Sequence, residues 1–75
     1  MTYAQYKQRQ QQVLDQCNEM LKAANIKYNP TAICCKEVCN YAIAYPFGEY
    51  ALERGYRTLK ELQAGVQEFI KEHKH

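Results

Sequence analysis

Two proline-marked breaks constrain this 75-residue chain more than any other feature. Asn29-Pro30 and Tyr45-Pro46-Phe47-Gly48 interrupt long runs that are otherwise patterned in apolar residues. Pro46 drives Tyr45 out of the helical region, and Gly48 permits a turn. Asn29 before Pro30 reads as a helix start, because Asn caps well and the missing proline N–H costs nothing at the first helical position. The breaks at 25–29 and 45–48 therefore leave three segments.

The first segment places Tyr3, Tyr6, Val13, Cys17, Met20 and Ala24 at alternating three- and four-residue steps, with Gln10 in the one gap. That is the spacing of a buried helical stripe. Thr2 and Gln5 have the capping-box spacing, and Gln5 with Gln8, Gln11, Gln12 and Gln16 keeps the remaining faces wet without charge. In the second segment only Lys36, Glu37 and Asn40 are strongly polar between Ala32 and Ala44. They share one narrow helical stripe, so the segment reads as a central helix covered on several sides. In the third, Leu52, Tyr56, Leu59, Leu62, Val66, Phe69 and Ile70 form a stripe. Glu49, Glu53, Arg57 and Glu61 stand at successive i, i+4 steps, as in a supported surface helix. Gly55 and Gly65 are its weak points. No stretch alternates polar with apolar for long. The expectation is a single all-α domain, 1–75, of three antiparallel helices over about 2–24, 30–44 and 48–73, in up-down-up order.

A chain this short buries only ~60% of the surface its unfolded form exposes, so a staple or a second subunit would help it. The apolar girth of the middle segment exceeds what a short three-helix bundle needs, which points to a homodimer. Four cysteines (Cys17, Cys34, Cys35 and Cys39) could supply a metal site or a disulfide. Cys35-x3-Cys39 satisfies half of a zinc pattern, but the second half would have to come from Cys17 or the terminal His73 and His75. The simpler expectation is reduced, mostly buried thiols packing as small apolar groups, with no metal or other cofactor.

Composition excludes much chemistry. Lys plus Arg is 10 against 8 Asp plus Glu, a net +2 that is too balanced for a non-specific polyanion binder. Serine is absent, so no serine triad can form. A cysteine nucleophile would have to borrow a base from the terminal histidines. No Gly-rich phosphate loop exists, no apolar run approaches a membrane span, and nothing resembles a secretory leader. The chain reads as a non-enzymatic cytoplasmic protein.

What remains is aromatic. Tyr41, Tyr45, Phe47, Tyr50 and Tyr56 crowd around the second break, and Tyr combines an apolar body with a polar tip suited to interfaces. The expected function is a small protein-binding module: an adaptor, a complex subunit or an inhibitor acting by surface occupation, of the kind common among phage and mobile-element accessory proteins. Tyr45, Phe47 and Tyr50 are the expected docking patch, with Arg54 and Arg57 as its polar rim. The alternative is a helical DNA- or RNA-binding regulator using Arg54, Arg57 and Lys60 on the third helix, with Lys7 and Arg9 on the first. No segment is strongly basic, which weighs against it.

Overall fold

The computed structural model describes residues 2–35, 40–48 and 51–73. It contains two helices and one antiparallel sheet, in the order α1 (Tyr3–Ala24), β1 (Thr31–Ile33), β2 (Tyr41–Tyr45), β3 (Ala51–Tyr56) and α2 (Leu59–His73). The three-helix bundle is therefore wrong, and the fold is mixed α and β. The first helix falls where expected, with the Thr2/Gln5 capping box formed and Asn25 closing it in the left-handed conformation. The middle helix does not exist. The third is a strand over Ala51–Tyr56 and a helix only over Leu59–His73.

The physical reason lies in Tyr41-Ala42-Ile43-Ala44-Tyr45. Large residues alternate with alanine along this stretch, a period of two written in size rather than polarity. A short apolar run of this kind satisfies a buried strand as well as a buried helix, and pairing on both sides decides it. β2 is the central strand, with order β1-β2-β3. Thr31 pairs with Ala44 and Ile33 with Ala42 on one side; Tyr56 pairs with Tyr41 and Ala51 with Tyr45 on the other. Pro30 precedes an edge strand rather than opening a helix, a place where its missing N–H is equally harmless. The Glu49-to-Glu61 charge ladder is not helical over Ala51–Tyr56, and α2 begins only after Thr58, whose hydroxyl accepts from the Glu61 N–H at 3.1 Å.

Both helices lie on one face of the sheet. Tyr41 reaches Tyr6 and Gln10 of α1, while the Tyr45 ring lies 6.3 Å from Phe69 of α2. The core between the layers is Cys17 and Leu21 from α1, Ile43 from β2, and Leu62, Val66 and Phe69 from α2, each at most 2% exposed. Each large apolar side chain so buried contributes roughly 1.5–3 kcal/mol. Gly65 faces this layer because the Tyr56 ring lies against it, where any Cβ would collide.

The premise for self-association, an over-apolar middle helix, disappears with that helix. The sheet edges are blunted instead. Ala32 of β1 turns its backbone outward, and the Asn18 carboxamide takes both groups, accepting from the N–H at 2.8 Å and donating to the C=O at 3.2 Å. β3 carries a bulge at Glu53, between the pairs Ile43–Arg54 and Ala44–Leu52. Arg54 then points its charge toward the helix layer, another feature that discourages strand addition.

The thiols follow the new fold. Cys17 is buried in the core, where desolvation pushes its pKa up. Cys34 and Cys35 are half-buried, and Cys34 Sγ accepts from Gln10 Nε2 at 3.4 Å. Cys17 and Cys34 are free thiols; Cys39 lies outside the described residues. Among the described residues no three His, Cys, Asp or Glu gather to hold a metal, and no helix is long and apolar enough to cross a membrane.

Candidate functional site

The segment joining α1 to β1 is where the backbone departs most from its preferences. Asn25 (φ 54°), Tyr28 (φ 72°) and Asn29 (φ 52°) all have positive φ. For Asn this is tolerated, and at Asn25 it is the ordinary way to close a helix. For Tyr28 it is not. The Asn29 N–H donates to the Ile26 carbonyl at 3.2 Å, which closes a four-residue turn with Tyr28 at its third position. Glycine normally takes that place when φ is positive. A bulky residue there costs about 1–2 kcal/mol.

The strained turn delivers the Tyr28 ring to the end of β2. It lies edge-on to Phe47 (5.2 Å between centroids, 67° between planes) and to Tyr45 (6.4 Å, 86°). Tyr45 and Phe47 stack at 5.7 Å and 23°. They come together because a tight turn follows β2: the Phe47 N–H donates to the Tyr45 carbonyl across Pro46 at 2.9 Å. Inward, Tyr45 meets Phe69, and Phe69 stacks on His73 at 4.2 Å. The His73 ring nitrogen also lies 2.8 Å from the Phe69 carbonyl. A continuous run of rings thus climbs from a fully buried Phe69 to Phe47 and Tyr28, which remain 50% and 55% exposed.

Charged groups edge this run without neutralising it. Lys27 Nζ sits 5.1 Å from the Tyr28 ring centroid, and the Arg54 guanidinium 5.6 Å from that of Phe69. Arg54 pairs with Glu72. Burial pushes the Tyr45 phenol above its ordinary value, Glu53 adds to the shift, and Arg54 opposes it.

Of the five residues expected to form the docking patch, the structure brings Tyr45, Phe47 and, one ring inward, Arg54 together. Arg57 stands elsewhere. Its N–H donates to Glu61, and its carbonyl accepts from Asn40, which precedes β2, whereas the corner lies where β2 ends. Tyr50 lies outside the described residues. Arg54, Arg57 and Lys60, grouped on one helix for nucleic-acid contact, are distributed over β3, the following turn and the first turn of α2. Sequence reasoning missed Tyr28. The signal was an aromatic placed just before Asn29 in a helix break, but only pairing of β1 with β2 brings it to Tyr45.

Beside the corner lies a cavity of about 600 Å3, between the C-terminal half of α1 and the outer edge of β1. Leu21, Pro30 and Ile33 give it apolar walls, and Lys22, Asn29 and Thr31 its polar ones. Thr31 Oγ1 is buried without a hydrogen-bond partner among the described residues.

No protein-family model, curated protein or solved structure matches this chain.

Proposed function

We propose that the chain is a small protein-binding module that docks a partner on the aromatic corner of Tyr28, Tyr45 and Phe47, without catalysis. One observation carries this reading: the backbone at Tyr28 is held in a conformation that costs about 1–2 kcal/mol, yet the ring it positions is 55% exposed. Burial does not repay that cost. Strained residues of this kind cluster where a ligand is clamped.

The corner also has the physical character of a binding hot spot. Tyr and Phe offer large contact areas with few rotors to freeze. Packing of the three rings on one another pre-orders them, so little entropy is lost on docking. Both sheet edges are blunted, so recognition falls to side chains rather than to strand addition. The free thiols of Cys17 and Cys34 suit a reducing compartment, which supports work in the cytoplasm.

The test replaces Phe47 with a photo-crosslinking phenylalanine analogue in the full chain. Irradiation in host cells captures one protein in good yield if the corner is the interface. Loss of that product when Tyr28 is changed to Asn completes the assignment. An analogue at exposed Gln8 on α1 serves as the control. Equal capture there, or none at Phe47, defeats the reading.

A further inference from the structure

We propose that the N-terminal part of α1 receives an amphipathic helix with acidic flanks from a protein partner, which lays its apolar stripe on Tyr3 and Tyr6 and its carboxylates on Lys7 and Arg9. This surface is separate from the aromatic corner. Tyr6 reaches Tyr41, which opens β2, whereas the corner gathers around Tyr45, which closes it.

Three observations support it. First, α1 is longer than the body it packs on. Its buried residues are Val13, Cys17 and Leu21, and the same line of the helix, followed back toward the N-terminus, passes through Gln10, Tyr6 and Tyr3. Gln10 is half-buried, but Tyr6 is 44% and Tyr3 75% exposed. The side that seats the helix thus runs on as an uncovered aromatic stripe, over roughly 10 Å of helix. Second, the charge on this stretch has one sign. Residues 2–14 include Lys7 and Arg9 and no Asp or Glu. The two cations stand roughly 80° to either side of the stripe, the flanking positions at which paired helices exchange salt bridges. Neither makes an ion pair among the described residues. The first turn of α1 holds no acid, so the positive end of the helix dipole adds to them. Third, the rings are already ordered. The Tyr6 hydroxyl lies 3.1 Å from that of Tyr41, which also accepts from Gln10 Nε2 at 3.1 Å, and Lys7 Nζ sits 5.7 Å from the Tyr3 ring centroid. Little freedom is left to lose on docking.

Charge also selects the occupant. A second copy of this chain would oppose Lys7 and Arg9 with the same two cations, and like charges across a helix pair count against it. An acidic helix answers both flanks at once.

The experiment titrates the isotopically labelled full chain, at low salt, with two helical peptides that share leucines at three- and four-residue steps. One carries glutamate at the flanking positions and the other lysine, and backbone amide shifts report the contact. The glutamate peptide is expected to move the amides of Tyr3, Tyr6, Lys7 and Gln10 and to leave those of Tyr45 and Phe47 in place. The lysine peptide is expected to move none of them. Lys7→Glu with Arg9→Glu is expected to weaken the glutamate peptide by about tenfold and to admit the lysine peptide at the same amides. Acids near a helix N-terminus favour the helix, and damage to the fold cannot exchange one preference for the other. Equal response to both peptides, shifts that miss Tyr3 and Tyr6, or a double variant that keeps its preference overturns the proposal. So does a free chain that sediments as a dimer and is dissociated by Tyr3→Lys, because a second copy then covers the stripe. A DNA duplex that moves the same amides and binds more tightly than the glutamate peptide also overturns it, because the cations then serve phosphates. The corner stands or falls separately, on cross-linking at Phe47.

Discussion

The Asn18 side chain on α1 pairs with the backbone of Ala32 on β1 as a neighbouring strand would, accepting from its N–H at 2.8 Å and donating to its carbonyl at 3.2 Å. One carboxamide thus fastens the first helix to the sheet and closes the sheet's edge. Asn18→Ala leaves both groups without their partner and is expected to cost about 1–3 kcal/mol, read from urea unfolding. The same variant should associate with itself in sedimentation as concentration rises, since its edge is open for pairing. A variant that is destabilised but strictly monomeric would show that Asn18 anchors the helix without guarding the edge.

Gly65 gives a second test, in which two effects oppose each other. Alanine is the better helix former by about 1 kcal/mol, and on an exposed helix the change would stabilise. Here the added methyl meets the Tyr56 ring, and overpacking costs about 1–3 kcal/mol. The clash is expected to win, lowering the melting temperature of Gly65→Ala by several degrees. Tyr56→Leu in the same chain should recover part of the loss, which a double-mutant cycle will measure.

Thr31→Val is predicted to stabilise the free protein. The buried hydroxyl finds no partner among the described residues, so an isosteric methyl removes a desolvation penalty of about 1 kcal/mol or more. Chemical denaturation of the two proteins side by side gives the sign. A less stable valine variant would mean that the hydroxyl is satisfied in solution.

Three tyrosines make stability fall at alkaline pH. Burial raises the phenols of Tyr41, Tyr45 and Tyr56; the Tyr6 hydroxyl adds to the shift at Tyr41, and Glu53 adds to it at Tyr45. Each phenol holds its proton more tightly in the folded chain than in the unfolded one. The corresponding stability is fully present below the ordinary tyrosine value of about 10 and is lost as pH rises from there through the folded values. Tyr45→Phe keeps the ring and removes one such group. Its alkaline unfolding midpoint, followed by circular dichroism, should move to higher pH while stability near neutrality stays level. An unmoved midpoint would mean that Tyr45 ionises normally.

The helices were partly legible in the sequence and the sheet was not. α1 was legible as a helix, but only Val13 and Cys17 of its expected stripe are buried, joined by Leu21 from the flank, while Tyr3, Tyr6, Met20 and Ala24 are exposed; the Gln10 amide turns inward to Tyr41 at 3.1 Å. The second half of the last segment was readable through Leu62, Val66 and Phe69. β2 was not, because alanine between large residues suits a helix as well as a strand, and only its two neighbours decide. β3 was hidden by a charge ladder that happens to have helical spacing. At the corner, Tyr45 and Phe47 were legible as near neighbours across Pro46. Arg57 was placed there by helical periodicity, which fails once the intervening residues are strand. Tyr28 was invisible because its contacts exist only after β1 has paired with β2.

The central claim, that Tyr28 is held in strain for binding rather than for folding, is tested most directly by Tyr28→Asn, with stability and partner capture measured on the same preparation. Asparagine tolerates positive φ, so relief of about 1–2 kcal/mol offsets lost edge-on ring contacts worth about 0.5–1.5 kcal/mol each. Unfolding free energy is expected to stay within about 1 kcal/mol of the original, with loss of the cross-linked partner at position 47. A variant destabilised by several kcal/mol that still captures its partner in full would contradict it, and would make Tyr28 a structural residue.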